Sequence, residues 1–265
     1  MSTSSTSPTA TPAPLDLDVM HAPKVPFWRL VGVELRKMAD TRAGLWLLIT
    51  IGLLTAAFVV IFYFAADERD HTFVNYLGMT STPQGFLLPV LGILLVTSEW
   101  SQRTTLTTFT LEPSRGRIVA AKTAAAVVFG LVAIAVAVVI AWLAALLGGT
   151  EGAFDDIGAE DFGRFALLQI IAIVWGLAFG LLFLNSPAAI VLYFVVPIAF
   201  NVLVSLVSWL QDAAPWIDLS TAQVPLFETD PLSGKEWAQL AVTALIWIGV
   251  PFVVGLLRVL RSEVK

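Results

Sequence analysis

Residues 165–211 read FALLQIIAIVWGLAFGLLFLNSPAAIVLYFVVPIAFNVLVSLVSWLQ and contain no Asp, Glu, Lys or Arg. A helix crosses the hydrocarbon core of a bilayer with roughly 20 apolar residues, so this run is too long for one crossing and long enough for two. Its centre, Asn185-Ser186-Pro187, supplies the break. Proline has no N–H to give to a helix and biases the residue before it away from helical backbone, so the triplet reads as a tight turn. A pair of antiparallel membrane helices, 165–184 and 188–210, follows from that reading.

Four more runs of the same character lie outside it, at about 43–66, 74–98, 121–148 and 238–258. The second is the least regular. Thr72 to Gln84 is polar for a span, the apolar run begins at Phe86, and Pro83 and Pro89 predict a kinked or broken helix there. The composition agrees with six crossings: 57% of the chain is hydrophobic and 13% charged, with a mean hydropathy of +0.84. An ordinary soluble domain is about 25% charged, and a disordered chain lacks this apolar content. The absence of cysteine removes disulfides, thiolate metal sites and cysteine nucleophiles together.

Charge placement orients the frame. If the first span leaves the cytoplasm, Lys24, Arg29, Arg36, Lys37, Arg42, Arg103, Arg115, Arg117, Lys122, Arg258, Arg261 and Lys265 all fall on the cytoplasmic side, and of the 15 lysines and arginines only Arg69, Arg164 and Lys235 fall opposite. The opposite loops are acidic, with Asp67, Glu68 and Asp70, then Glu151, Asp155, Asp156, Glu160 and Asp161, then Asp212, Asp218, Glu228, Asp230 and Glu236. This separation by sign requires six crossings and predicts both termini in the cytoplasm. The fold class read from the chain is therefore an all-α integral membrane protein with six transmembrane helices. The net charge of −5 gives no reason to expect a nucleic-acid partner. Residues 1–26 are a Ser, Thr, Pro and Ala tail, read as disordered and not as a secretory signal; 43–260 is the membrane domain, and 261–265 a second short tail.

Two segments on the basic side carry more specific patterns. Over 27–42, Phe27, Trp28, Val31, Leu35 and Met38 share a face at 100° per residue, and Arg29, Arg36 and Asp40 lie opposite. That is the pattern of an amphipathic helix lying in the membrane interface, in contact with lipid. Positive-inside anchoring of the first span explains the same residues equally well. The second segment is the long connection from Thr97 to Lys122. It opens with Ser98-Glu99-Trp100-Ser101-Gln102-Arg103, in which Glu99 and Arg103 have the i, i+4 spacing of a helical ion pair. Thr104, Thr105, Thr107, Thr108 and Thr110 follow, then Pro113 and Arg115-Gly116-Arg117. A short polar-tipped helix at the membrane surface would serve as a docking element, and a solvated loop is the plainer reading.

Other features have packing explanations. Gly176 and Gly180 form G-x-x-x-G in the fourth span, which permits close helix approach. Trp209, Trp216 and Trp237 stand where an aromatic belt would be. Gln169, Asn185 and Asn201 are suited to hydrogen bonds between or at the ends of helices. No catalytic, cofactor-binding or metal-ligating set is expected. The histidines are His21 and His71, without a partnered nucleophile, and H-E-x-x-H and G-x-S-x-G are absent. A phosphate-binding loop G-x-x-x-x-G-K-[ST] is absent too, since Gly234-Lys235 is followed by Glu236.

Several short stretches occur in a familiar order: Val33-Glu34-Leu35-Arg36-Lys37 with Thr41-Arg42, then Thr97-Ser98-Glu99-Trp100 and Arg103-Thr104, then Thr108-Phe109, Leu111-Glu112-Pro113, Arg115-Gly116-Arg117 and Ala121-Lys122, and finally Trp216-Ile217-Asp218-Leu219. In a six-span frame, from about residue 27 onward, the chain resembles the permease subunit of a type-2 ATP-binding-cassette (ABC) export transporter of the actinobacterial kind. The resemblance implies a multi-pass protein of the plasma membrane that pairs with a second permease, as a homo- or heterodimer. It implies a separate ATPase subunit that holds the ATP and magnesium. Carried over, the ATPase-coupling residues are Glu99, Trp100, Arg103 and Thr104. The interfacial helix, with Trp28, Glu34, Arg36 and Lys37, braces the same ATPase, and the segment from about Asp212 to Glu236 caps the exit.

Rival readings are an ion-coupled secondary transporter, a membrane enzyme, and a non-transporting scaffold or sensor. Ion coupling usually places a titratable group at mid-membrane, and the span centres hold none. The cargo is not readable beyond the fit of charge-free spans to hydrophobic or amphipathic molecules.

Overall fold

The computed structural model describes residues 25–102, 104–155, 158–228 and 230–261. The expected N-terminal tail, apart from Val25 and Pro26, and the expected C-terminal tail beyond Arg261 lie outside the described residues, as does Arg103. The described chain is helical, and among its residues six helices are long and apolar enough to cross a membrane. They are α2 (Arg42–Ala65), α3 (Phe73–Ser101), α5 (Arg115–Gly148), α6 (Ala159–Phe183), α7 (Ser186–Leu206) and the compound helix Gly234–Arg261. Preceding them is α1 (Phe27–Asp40), and α4 (Thr105–Leu111) sits between α3 and α5. Helices α8 (Ser208–Ile217) and α9 (Leu219–Ala222) follow α7.

Local chemistry sets the boundaries. The Thr41 side chain accepts from Gly44 N at 3.2 Å and starts α2. Thr72 accepts from Asn75 N and starts α3. Leu184 turns α6 off with a φ of 52°, and Asn185 accepts from Ala188 N to start α7 with Pro187 in the first turn. The Asn185-Ser186-Pro187 turn is therefore where the uncharged run divides. Ser233 and Glu236 exchange the bonds of a capping box at the start of the last span. That span is α10 (Gly234–Ala244), a π-helical turn at Leu245–Gly249, and α11 (Val250–Arg261). Pro251 accounts for the widened turn: its ring would collide with the carbonyl four residues earlier, inside the π segment.

Proline acts differently in α3, which runs without a break from Phe73 to Ser101 through both Pro83 and Pro89. The reason is its packing. α3 and α6 are the central helices, with 56% and 67% of their apolar windows buried against 17% for α2, α7 and the last span. Glycine lets α3 and α6 approach. A Cβ on Gly92 would stand 2.2 Å from the Ile173 carbonyl oxygen, one on Gly176 2.1 Å from that of Pro89, and one on Gly180 3.0 Å from that of Ile93. Backbone meets backbone along the G-x-x-x-G face, and the contact keeps α3 continuous.

Polar contacts at the helix ends establish the alternation. At one end, Ser186 donates to Thr97 at 2.8 Å, Arg258 to the Leu182 carbonyl at 2.7 Å and Arg115 to the Val259 carbonyl at 2.9 Å. At the other, Thr150 donates to the Glu68 carbonyl at 2.7 Å. Arg164 donates to the carbonyls of Glu228 and Asp230 there. Successive spans run in opposite directions, and the basic loops collect at a single end.

The glycine contacts predict a contrast between two alanine substitutions. Gly176→Ala forces α3 and α6 apart and should cost about 1–3 kcal/mol, the usual range for overpacking. Gly78→Ala, where a Cβ meets nothing within 4 Å, should leave stability unchanged or slightly raised. Thermal unfolding of the two variants in detergent micelles checks the difference.

Candidate functional site

The connection between α3 and α5 does not hang free. Its helix α4 is fastened on three sides. Thr108 donates to Glu99 at 3.1 Å, Phe109 meets Trp100 edge-on at 6.5 Å, and the Arg115 guanidinium lies 4.9 Å over the Phe109 ring. Glu112 accepts from Arg117 at 3.0 Å and from Ser114 N at 3.3 Å, which fixes the chain as it enters α5. Leu106 and Leu111 are left on the outside, 50% and 77% exposed.

Glu99 carries α4 onto a larger feature. Lys37 Nζ lies 2.8 Å from Glu34 Oε1 and 2.6 Å from Glu99 Oε1. Lys122 Nζ lies 2.6 Å from Glu34 Oε2 and 3.4 Å from Glu99 Oε2. The four groups form a closed ring of alternating sign that joins α1, α3 and α5. Glu34, Glu99 and Lys122 are buried, and Lys37 is half-buried. Lys122 also donates to the Leu95 carbonyl at 2.9 Å. Burial works against the charged Lys37, but Glu34 first and Glu99 second outweigh it and hold its pKa above the ordinary lysine value. The stabilisation from Lys37 is thus complete below its unfolded pKa and is lost only as pH rises through the raised folded value.

A cleft of about 580 Å³ opens beside the ring, between α1, the end of α3, α4 and the start of α5. Leu30, Val33, Met38, Leu111 and Ile118 line its apolar walls, and Glu34, Lys37, Glu99 and Lys122 stand along one side. Arg117 closes the near end of α1 by donating to the Val25 carbonyl.

The residues expected at a coupling site separate into three groups. Glu99 is a buried ring member, placed on α3 and not on a projecting loop. Trp100 is partly buried behind Phe109, while Thr104 is exposed and lines the cleft. Arg103, and with it the Glu99–Arg103 pair, lies outside the described residues. Of the α1 residues, Glu34 and Lys37 are in the ring, while Arg36 is exposed and Trp28 is 74% exposed. The expected apolar face of α1 therefore divides, with Val31 and Met38 buried and Trp28 turned outward. Lys122 and Thr108 are functional candidates that the motif reading left unassigned. Lys122 carried a signal, as a lone cation set among alanines at the head of an apolar run.

A second polar cluster lies deep in the bundle. Gln169 on α6 donates to the Gln84 side chain on α3, and Gln84 donates to the Ala133 carbonyl on α5 at 3.1 Å. Both amides are buried and satisfy one another, a use consistent with helix registry. Among the described residues no group of three or more His, Cys, Asp or Glu could hold a metal ion. Comparison with models of known protein families and with curated proteins yields no match to this chain.

Removing one partner of a buried ion pair strands a charge and costs about 3–5 kcal/mol. Lys122→Met should lose that much, because Glu34 and Glu99 then share Lys37 alone. Glu34→Gln with Lys122→Met leaves Lys37 and Glu99 balanced and should cost less than the sum of the single changes. A double-mutant cycle by denaturant unfolding in micelles measures the coupling.

Proposed function

We propose that this chain is the membrane-spanning permease subunit of an ABC transporter, most simply an exporter, and that it works with a separate ATPase. The observation that carries the reading is the ionic ring beside the cleft at the basic end of the bundle. An ATPase seated there would touch α4 and α1 together, and any displacement of α4 would pass through Glu99 and Phe109 into α3. In this reading the basic end faces the cytoplasm of a plasma-membrane protein, α1 lies in the interface, and both chain termini are cytoplasmic.

The chemistry belongs to the partner, which binds ATP and magnesium. This chain contributes a surface and a path. Leu106 and Leu111 offer apolar contact, Thr104 and Thr107 polar contact at the mouth of the cleft, and the cleft receives a protruding segment of the ATPase. The ring then ties α1, α3 and α5 so that they respond as a unit. Nucleotide does work through this contact only if the docked surface binds the open and closed ATPase pairs differently. A second permease, identical or related, completes the pathway against the exposed spans, and the segment after α7 caps the exit.

Ion-coupled transport finds less support. Gln84 and Gln169, buried near the middle of α3 and α6, are amides that do not titrate and that are hydrogen-bonded to each other.

Two results would test the proposal. Co-purified ATPase should be lost, by about tenfold or more in retained complex, in Leu106→Glu, whose side chain is half exposed and whose replacement leaves the ring untouched. Unchanged retention, with unfolding also unchanged, would remove the docking site from α4. Single cysteines are clean reporters because the chain has none of its own. Cysteines at Ser114 and Ala159 should label from the cytoplasmic and the outer face respectively, and labelling of position 114 from outside intact cells would reverse the orientation.

A further inference from the structure

Among the described residues, the basic end of the bundle pairs its glutamates internally. Glu34 and Glu99 are held in the ring and Glu112 is paired with Arg117. On the elbow formed by α1 and α2, Arg29, Arg36 and Arg42 are exposed, and their side chains make no hydrogen bond or ion pair among the described residues. Asp40 is the one exposed acid beside them on α1. A guanidinium-rich surface with its counter-charges removed to the interior calls for an external anion.

The side-chain order on the two helices says what kind. On α2, Arg42, Trp46, Ile49 and Leu53 share one stripe at 100° per residue, and all are exposed, Trp46 by 67% and Leu53 by 66%. Read from the end inward, that stripe is a cation, then an interfacial indole, then aliphatic side chains. This is the order of polarity along a phospholipid. On α1, Trp28, Gly32 and Arg36 fall on one outward face, where a Cβ on Gly32 would meet nothing within 4 Å. The open step at Gly32 leaves room against the helix between the indole and the guanidinium.

We infer that the α1–α2 elbow is a binding surface for an anionic phospholipid, with Arg36 and Arg42 on its phosphate headgroup, Trp28 and Trp46 at the glycerol level, and Ile49 and Leu53 against an acyl chain. Arginine suits the phosphate because its planar fork donates two parallel hydrogen bonds. A zwitterionic headgroup brings its own cation to the same place and gains less.

Lipid binding at the elbow needs the bilayer but no ATPase, so its failure is separable from failure of the transporter reading. The full chain, delipidated in detergent, is offered equal amounts of phosphatidylglycerol and phosphatidylcholine, and bound lipid is counted by native mass spectrometry. Wild type should retain phosphatidylglycerol preferentially. Each of Arg36→Gln and Arg42→Gln should reduce that preference about fivefold, the effect of one basic residue near an anionic membrane surface. Arg42→Lys should keep more of it than Arg42→Gln does. Thermal unfolding verifies that the variants are folded, which is expected because the substituted side chains have no partner among the described residues. Equal retention of the two lipids by wild type, or an undiminished preference in Arg36→Gln/Arg42→Gln, overturns the assignment. So does displacement of phosphatidylglycerol by inorganic phosphate alone, which would mark a site for free anions.

Discussion

Glu34 and Lys122 meet at 2.6 Å where one is 5% and the other 4% exposed. Neither could be buried there alone, because an isolated charge withdrawn from water costs several kcal/mol even after its surroundings relax. The closed ring removes that penalty by giving each charge two neighbours of opposite sign. It thereby converts α1, which could have been a surface helix attached only through Thr41, into a part of the bundle. The Arg117 bond to Val25 fastens the other end of the same helix. The arrangement around the cleft follows from this neutralisation. The cleft has a fixed wall, α4 has a fixed seat on Glu99, and among the described residues the arginines left over on α1 and at the start of α2 have Asp40 as their one exposed neighbouring acid.

Much of this arrangement was legible along the chain, because the signals were local. Charge-free runs set the spans, Asn185-Ser186-Pro187 set the hairpin turn, and Gly176 with Gly180 marked a close approach. What remained hidden was long-range. Glu34 lies three residues after Val31 and four before Met38, so it shares their stripe, and on an amphipathic helix a charge on the apolar stripe is the sign of a buried partner. The identity of that partner, 88 residues away, has no local trace. The same holds for Gln84, whose acceptor is a backbone carbonyl of α5 that no side-chain pattern announces. Pro83 and Pro89 predict a kinked or broken helix, and of the two the break is absent. Their local cost is real, but the backbone contact between α3 and α6 holds α3 continuous.

Exposure divides the molecule into a centre and a rim. Helices α3 and α6 are packed on most sides, while α2, α7 and the last span show lipid-compatible faces over most of their length. A soluble protein with so many exposed large hydrophobics would aggregate; here they are the surface a bilayer solvates.

The centre forms one continuous mechanical element from end to end. α4 is seated on α3 through Glu99 and Phe109, and α3 is locked to α6 by carbonyl-to-glycine contacts that admit no sliding without a clash. At the far end of α6, Arg164 grips the segment that follows α9 by two backbone carbonyls and is steadied by Glu160 at 2.6 Å. At 1.5 Å per residue a helix of the length of α3 spans about 40 Å, so under the proposed transporter function a tilt at the basic end would reach the acidic end through this packing. Because Arg164 holds carbonyls, that last joint does not depend on which side chains the outer segment carries. The segment can vary in sequence while its attachment to α6, and through α6 to the ring, is preserved.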